Sequence, residues 1–577
     1  MPRDAYSDRA RLALFVTEAG WRTVRTHAMA QSARPWRMAT IPVPGRLVLA
    51  PQDLRTGDAT RAGEIYSGRF AFAGKVVNTG GLSPFEVEPP SREWAEELMG
   101  FGWLRHLRAA ETAIARANAR SLVSDWITLR AHRQPGARAP EVCARRIISW
   151  LAQAQLILQE SDQALFRRVV QSLTAQVRHL RSLEPNIRDG YPRLLAAMAL
   201  CFAGLCMADQ TRLLRIAQRR VVEELERQIL PDGGHVSRNP GLLVEILLDL
   251  LPLRQAFHAR NLPPPAPLMN AIDRMMPMLR FFRHGDGAFA HFNGMGPTPA
   301  DSLATVLAYD DARGVPVANA PHSGYQRIEA GGTVVIADTG TPPPIAMSHE
   351  AHAGCLSFEL SSGRSRIVLN CGVPAVSREA WRPMARRTAA HSTVTVEDSS
   401  SCRFIAEGVM MRLCGTPVVE GPGEVKVERF EHDGAQIVRA SHDGYVRRYG
   451  ILHQRSWRLS PDGRRLDGED VLRPTRGETF EGDQPDRFAV RFHLHHAVAP
   501  SRLADGHTVL LAMPGGENWI FAAPHLRIDI EESLMLAASG GARRCDQLVI
   551  SGRVRHLPRL VWTFMRADAA APPREKR

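Results

Sequence analysis

The segment Asp232-Gly233-Gly234-His235-Val236-Ser237-Arg238-Asn239-Pro240 puts an imidazole, a guanidinium and a carboxamide on one glycine-rich turn. Arginine can grip a carboxylate through two parallel N–H bonds, and asparagine can share its charge, so this corner has the chemistry to recognise an acidic ligand. The same residues also read as a well-capped loop, with Asn239 leading into Pro240 at a helix start. A second cluster, His349, Glu350 and His352, precedes one strand pattern, and His391 precedes another. His349 or Glu350 is an acid/base candidate, and His352 and His391 can coordinate zinc through imidazole nitrogens or form a hydrogen-bonded structural pair. Tyr191, one of only seven tyrosines, offers a phenolic proton donor or a packing residue with a satisfied hydroxyl. Arg382, Arg386 and Arg387 form a basic loop beside His391, and His493 and His495 alternate along a strand.

Two kinds of element must position these groups. From Ser91 to Arg283 the hydrophobic pattern is helical, with candidates over 141–159, 162–183, 191–207, 210–230, 241–259 and 267–282. The 194–200 and 242–248 runs are apolar on more than one face, the pattern of an inner helix. Breakers at Pro185, Pro231-Asp232-Gly233-Gly234 and Pro263-Pro264-Pro265 separate them. After Pro316 the pattern becomes strands, opening with 332–337 and a hairpin of 355–360 and 366–370. About ten spaced strands without intervening helices predict an antiparallel sandwich. The expected division is a cap over 1–85, a helical domain over 86–312, a β-domain over 313–570 and a frayed tail over 571–577. A groove where the halves join is the first place to look for a ligand.

Composition narrows the class. A chain of 577 residues, 44% hydrophobic and 23% charged, is globular and multidomain. The 73 Lys+Arg exceed the 60 Asp+Glu by 13, which suits an anionic partner: an acidic polysaccharide, nucleic acid or an anionic membrane surface. Nucleic-acid binding rests on charge alone, because no helix-turn-helix or RNA-binding motif stands out. No P-loop, GxGxxG, GxSxG or HExxH accompanies the charge, which disfavours NTPases, dehydrogenases, α/β-hydrolases and zincins. The eight cysteines include no CxxC pair and read as buried thiols in a reducing compartment. No secretory signal and no membrane-spanning run is visible, so a cytoplasmic location is expected. Arg9 to Met29 has a basic, amphipathic character that suits a membrane-surface helix or, as an ordinary element, a docked one.

Four stretches resemble the heparinase II/III family of polysaccharide lyases: YPRLLAAMALCFAGL from Tyr191, LPDGGHVSRNP from Leu230, HEAHAGCLSFEL from His349 with IVLNCG from Ile367, and TAAHSTVTVE from Thr388. The resemblance implies an incomplete α/α toroid followed by a β-sandwich, and β-elimination at a uronic acid of an acidic polysaccharide or oligosaccharide. A base removes the C5 proton, a cation or amide neutralises the carboxylate, and an acid protonates the departing O4. It casts His235, Arg238 and Asn239 in carboxylate recognition and His349 or Glu350 with Tyr191 as acid and base. His352, Asn370 and His391 would hold zinc. The family's Asn-His pair falls here on Tyr191-Pro192, its later Tyr near Leu242, its first β-domain His on Glu350, its next Asp on Gly354, and a further Asp on Asn370. A one-residue slip makes His349 the relevant histidine. Two further readings follow from these departures: a member that binds an acidic glycan or helps assemble the envelope without cleaving, and a glycoside hydrolase with Glu350 paired to another carboxylate. The family often works in the periplasm, which is the alternative location.

Overall fold

The computed structural model describes residues 12–21, 24, 41–310, 314–405, 408–475 and 484–567. The helical half is an incomplete toroid of antiparallel hairpins. Its expected helices form within a residue or two of their predicted ends, as Gln163–Leu183, Tyr191–Cys206, Thr211–Gln228, Pro240–Ala259 and Ala266–Phe281. The caps explain the starts. The Ser91 side chain accepts the Trp94 N–H, Asp162 accepts that of Leu165, and Asn239 accepts that of Gly241 with Pro240 beginning the helix. Tyr191–Cys206 is buried from Leu194 onward, as its all-round apolarity requires. The run read as one helix over 141–159 is two, Pro140–Ala152 and Ala154–Leu158, and Ala113–Thr128 is an additional helix.

The β half is two antiparallel sheets of eight and nine strands sharing one core, in which Phe358, Phe492 and Val335 of one sheet meet Trp457, Trp562 and Phe564 of the other. The predicted hairpin is Phe358–Ser362 with Ser365–Leu369, in register Leu360↔Val368 and Ser362↔Ser365. Inside the core Arg455 is fully buried against Asp470, with Nε–Oδ1 at 2.7 Å and Nη2–Oδ2 at 2.9 Å. His453 and the Trp562 indole N–H complete that carboxylate's shell. Residues 12–21 are helical, and Phe15 and Ala19 bury themselves against Cys414 of the β half, so this part of the 9–29 segment is docked. The remainder of that segment and the tail after 567 lie outside the described residues.

Candidate functional site

The two halves meet through the loop that carries His235, Arg238 and Asn239. His235 is buried, and both its ring nitrogens are satisfied. Nε2 lies 3.0 Å from Gln228 Oε1, which can only accept, so Nε2 carries the proton. Nδ1 then accepts from the Ser237 hydroxyl at 2.7 Å and the Ser237 N–H at 3.1 Å. Burial pushes the imidazole down to about 4, and it stays neutral. His235 therefore keeps no free basic nitrogen.

Arg238 crosses the join. Its Nε donates to Ser323 O at 2.7 Å, Nη1 to Gly340 O and Thr341 O at 3.2 Å each, and Nη2 to Gly324 O at 3.0 Å and to Asp338. A guanidinium has five N–H groups, and all five are engaged within the protein. The carboxylate clamp expected of Arg238 has no free donor: the sheet edge uses it as a rivet. The Tyr325 ring stacks 4.7 Å beneath it, and the Tyr325 hydroxyl donates to Arg238 O at 2.6 Å.

A polar relay continues into the β half. Asn293 Nδ2 donates to Asp338 Oδ2 at 3.2 Å, and Asn293 Oδ1 accepts the His352 N–H at 3.1 Å. His352 Nδ1 lies 3.0 Å from His391 Nε2. His391 Nδ1 lies 2.8 Å from Arg387 O, so it must be the protonated nitrogen, and Nε2 accepts from His352 Nδ1–H. This tautomer leaves Nε2 of His352 as the basic nitrogen of the pair. Burial pushes His391 down to about 4, and burial with the Arg386 and Arg378 charges holds His352 well below the usual imidazole range. Gly354 lets the pair close: a Cβ there would stand 2.8 Å from His391 Cδ2. This relay joins the helical corner to the imidazole pair as a buried seam between the halves.

Asn239 and Glu350 meet at Gly294. A Cβ on Gly294, at φ +87°, would lie 3.0 Å from Glu350 O and 3.3 Å from Asn239 Nδ2. The Asn239 carbonyl oxygen is spent on its helix cap. Glu350 is partly exposed and pairs with Arg382 at 2.9 Å and Arg378 at 3.4 Å. The hydrolase reading required a carboxylate beside Glu350; Glu379 is that neighbour, and the two share one nitrogen of Arg382, whose charge offsets both. His349 packs against Gly415 and faces the Phe15 ring at 6.5 Å.

Asn370 belongs to a different cluster. Its N–H and the His291 N–H donate to Glu359 Oε1 at 3.0 and 2.9 Å, and its Oδ1 accepts the Ser392 N–H at 3.0 Å. Arg366 at 2.5 Å and His284 at 3.2 Å complete the Glu359 shell. The Arg366, His291 and His284 partners outweigh the burial of Glu359 and hold its carboxyl well below the usual range. The donor set does not fit zinc: the two imidazoles bond to each other, and the Asn370 oxygen is already used. Among the described residues no three His, Cys, Asp or Glu side chains come together as a metal site.

Tyr191 stands apart from the seam, behind Arg145, which lines a cleft of about 780 Å³ inside the toroid. Its hydroxyl accepts from Arg145, which pairs with Asp249 at 2.7 Å, and Asp249 also takes Arg55 at 2.8 Å. Glu245, one helical turn from Asp249, takes Arg55 at 3.0 Å. Burial pushes the Tyr191 phenol up to about 12, so it is protonated at neutral pH with its O–H free to donate. Arg105 Nε on the same cleft is buried without a partner. Sequence reasoning missed Arg55, Arg145, Asp249, Asp338 and Glu359, while the His291–Gly294 stretch that carries Asn293 reads from sequence as a toroid loop at the rim of the groove. Two signals were there: Glu245 and Asp249 inside LLVEILLDLL, and Glu359 inside LSFEL, are carboxylates in apolar runs, which demand cationic partners where they are buried.

Residues 312–563 match the family model described as "Heparinase II/III-like, C-terminal". The chain is 32% identical to FtsZ-localized protein C of Caulobacter vibrioides over 554 residues, covering 93% of this chain and 94% of that protein. A crystal structure of heparinase III aligns with a TM-score of 0.68 at 15% identity, over 98% of this chain and 92% of that one. A heparan sulfate lyase mutant from Pedobacter heparinus aligns at 0.63, again at 15% identity, over 98% and 89%. These likenesses extend from the toroid through the sandwich. The chain belongs to the heparinase II/III family.

Proposed function

We propose that the chain binds an acidic saccharide in its toroid cleft without eliminating it, and that it works alongside FtsZ. The observation that carries the first part is the saturation of Arg238. Elimination at a uronate needs a group free to neutralise the substrate carboxylate, and the arginine and histidine in that family position are consumed by the protein's own seam. The cleft keeps donors and acceptors not consumed in its internal ion pairs: Arg61 and Arg105, whose Nε is buried without a partner, for a saccharide carboxylate, and Glu93 and Glu97 among its carboxylates as acceptors for sugar hydroxyls. The second part is supported by the relative named for its localisation with FtsZ, which matches nearly the whole chain. A cytoplasmic location is part of the proposal. Its eight cysteines are buried and form no disulfide, which suits a reducing compartment.

A lyase reading retains one observation. His352 Nε2 is an unprotonated imidazole nitrogen and Tyr191 keeps its phenolic proton, which are the forms a base and an acid require. Calorimetric titration with uronate oligosaccharides decides between them. Binding weakened by Arg105→Ala, with the saccharide recovered intact, is the expected result; a shortened, unsaturated product contradicts the proposal. A fluorescent fusion should coincide with FtsZ in dividing cells, and a diffuse signal contradicts the second part.

A further inference from the structure

A second cavity, of about 470 Å³, opens where the toroid's last helix meets the sandwich. It adjoins the toroid cleft at Ala300, which lines both, but shares none of its charged residues, and it stands whether or not that cleft holds a saccharide. One wall carries donors: Arg283 from the end of the toroid, and Arg366, His495, His496 and Arg543 from the sandwich. The other wall is apolar, with Leu303, Ala304 and Leu307 of the Ala300–Leu307 helix facing Met535 and Ala537.

The charges on this wall are not balanced internally. Arg366 is offset by Glu359 behind it, yet its Nε is buried and has no partner. Neither Arg283 nor Arg543 has a carboxylate partner among the described residues; the Arg283 Nε reaches only Gly287 O, at 3.4 Å. His495 Nδ1 accepts the Ala497 N–H at 3.2 Å, so a neutral His495 carries its proton on Nε2 and is a donor there. The one carboxylate at the rim, Asp286, spends Oδ1 on the Ala288 N–H at 2.9 Å. A cavity rich in donors, with two unpaired cations and an orphaned buried N–H, is complementary to a compact, multiply charged oxyanion. The volume exceeds what the anion alone fills, and the apolar wall supplies a face for an organic body.

We propose that this cavity binds the phosphomonoester of a small organic molecule, with Arg283, Arg543 and His495 on the phosphate and the Leu303–Leu307 face against the body. The test is calorimetric titration of the full chain with phenyl phosphate, glycerol 3-phosphate, inorganic phosphate and sulfate. Saturable one-to-one binding of an organic phosphomonoester, tighter than that of inorganic phosphate, is expected. Arg543→Ala should weaken it about tenfold. Arg283→Ala should do the same, and unchanged thermal melts will show that both variants are folded. Arg544→Ala removes an equal charge from the neighbouring, fully exposed position and should change nothing. Failure to saturate with any organic ester up to about 10 mM overturns the proposal. So does inorganic phosphate or sulfate binding as tightly as the esters, or an Arg544→Ala loss as large as that of Arg543→Ala.

Discussion

Asn293 holds His352 in place: its carbonyl oxygen accepts the His352 N–H at 3.1 Å while its amide nitrogen reaches Asp338 at 3.2 Å. Through that one side chain the Arg238–Asp338 pair, which spans toroid and sandwich, and the His352–His391 pair of the sandwich become a single buried relay. A seam of this kind fixes the two halves relative to each other, and its members are judged first by stability.

Replacing Arg238 with Met leaves the Asp338 carboxylate buried and unpaired. The expected loss is about 3–5 kcal/mol of unfolding free energy, as for breaking other buried pairs. Urea titration with circular dichroism measures it. A change below about 1 kcal/mol would mean that Arg238 does not rivet the halves.

Acid should weaken the fold in a defined window. Burial lowers His235 and His391 from 6.5 to about 4 in the folded chain. Below pH 6.5 the unfolded chain binds protons that the folded imidazoles refuse, so their contribution is complete above pH 6.5 and falls as pH drops toward 4. At pH 5 each group costs on the order of 2 kcal/mol relative to pH 7. Urea midpoints measured from pH 7 to pH 5 should decline, and His391→Gln should flatten that decline. An unchanged slope in the variant would contradict a neutral, buried His391.

Gly294 sits in the left-handed region at φ +87°, and its missing Cβ makes room for Asn239 and the Glu350 carbonyl. Gly294→Ala should cost about 1–3 kcal/mol through backbone strain and the tight contacts. It should also weaken the protection of neighbouring amides in hydrogen exchange, the signature of a loosened join.

Asp470 anchors the sandwich core. Asp470→Ala orphans the fully buried Arg455 guanidinium and should destabilise by about 3–5 kcal/mol. The lesion lies within the sandwich core, so saccharide affinity of the folded fraction should stay at the parental value. Loss of affinity without loss of stability would contradict a purely structural role.

How much of this was legible in the sequence depends on the interaction range. Helix positions follow from local signals such as the Ser91 and Asp162 caps and the apolar faces, so their ends fall within a residue or two of expectation. Tyr325–Ala330 and Val425–His432 are among the strands that escaped notice. The first is buried along four consecutive residues and the second is almost wholly exposed, and neither alternates. Site residues were recognised by type, but their partners were not. Arg238 looks like a ligand-binding arginine until Ser323, Gly324, Asp338, Gly340 and Thr341 arrive from about 100 residues away. Asn370 likewise looks like a metal ligand until Ser392 and Glu359 claim it. A polar residue's type states what it can bond, and only the fold states whether that capacity is already spent.

The central claim is that this family scaffold binds without eliminating. Ultraviolet absorbance during incubation with a panel of uronate-containing polymers tests it most directly, because elimination creates a C4–C5 double bond conjugated to the carboxylate. The account predicts a flat absorbance trace from the same preparation that binds the saccharide. A growing absorbance band that disappears in His352→Ala or Tyr191→Phe would contradict it.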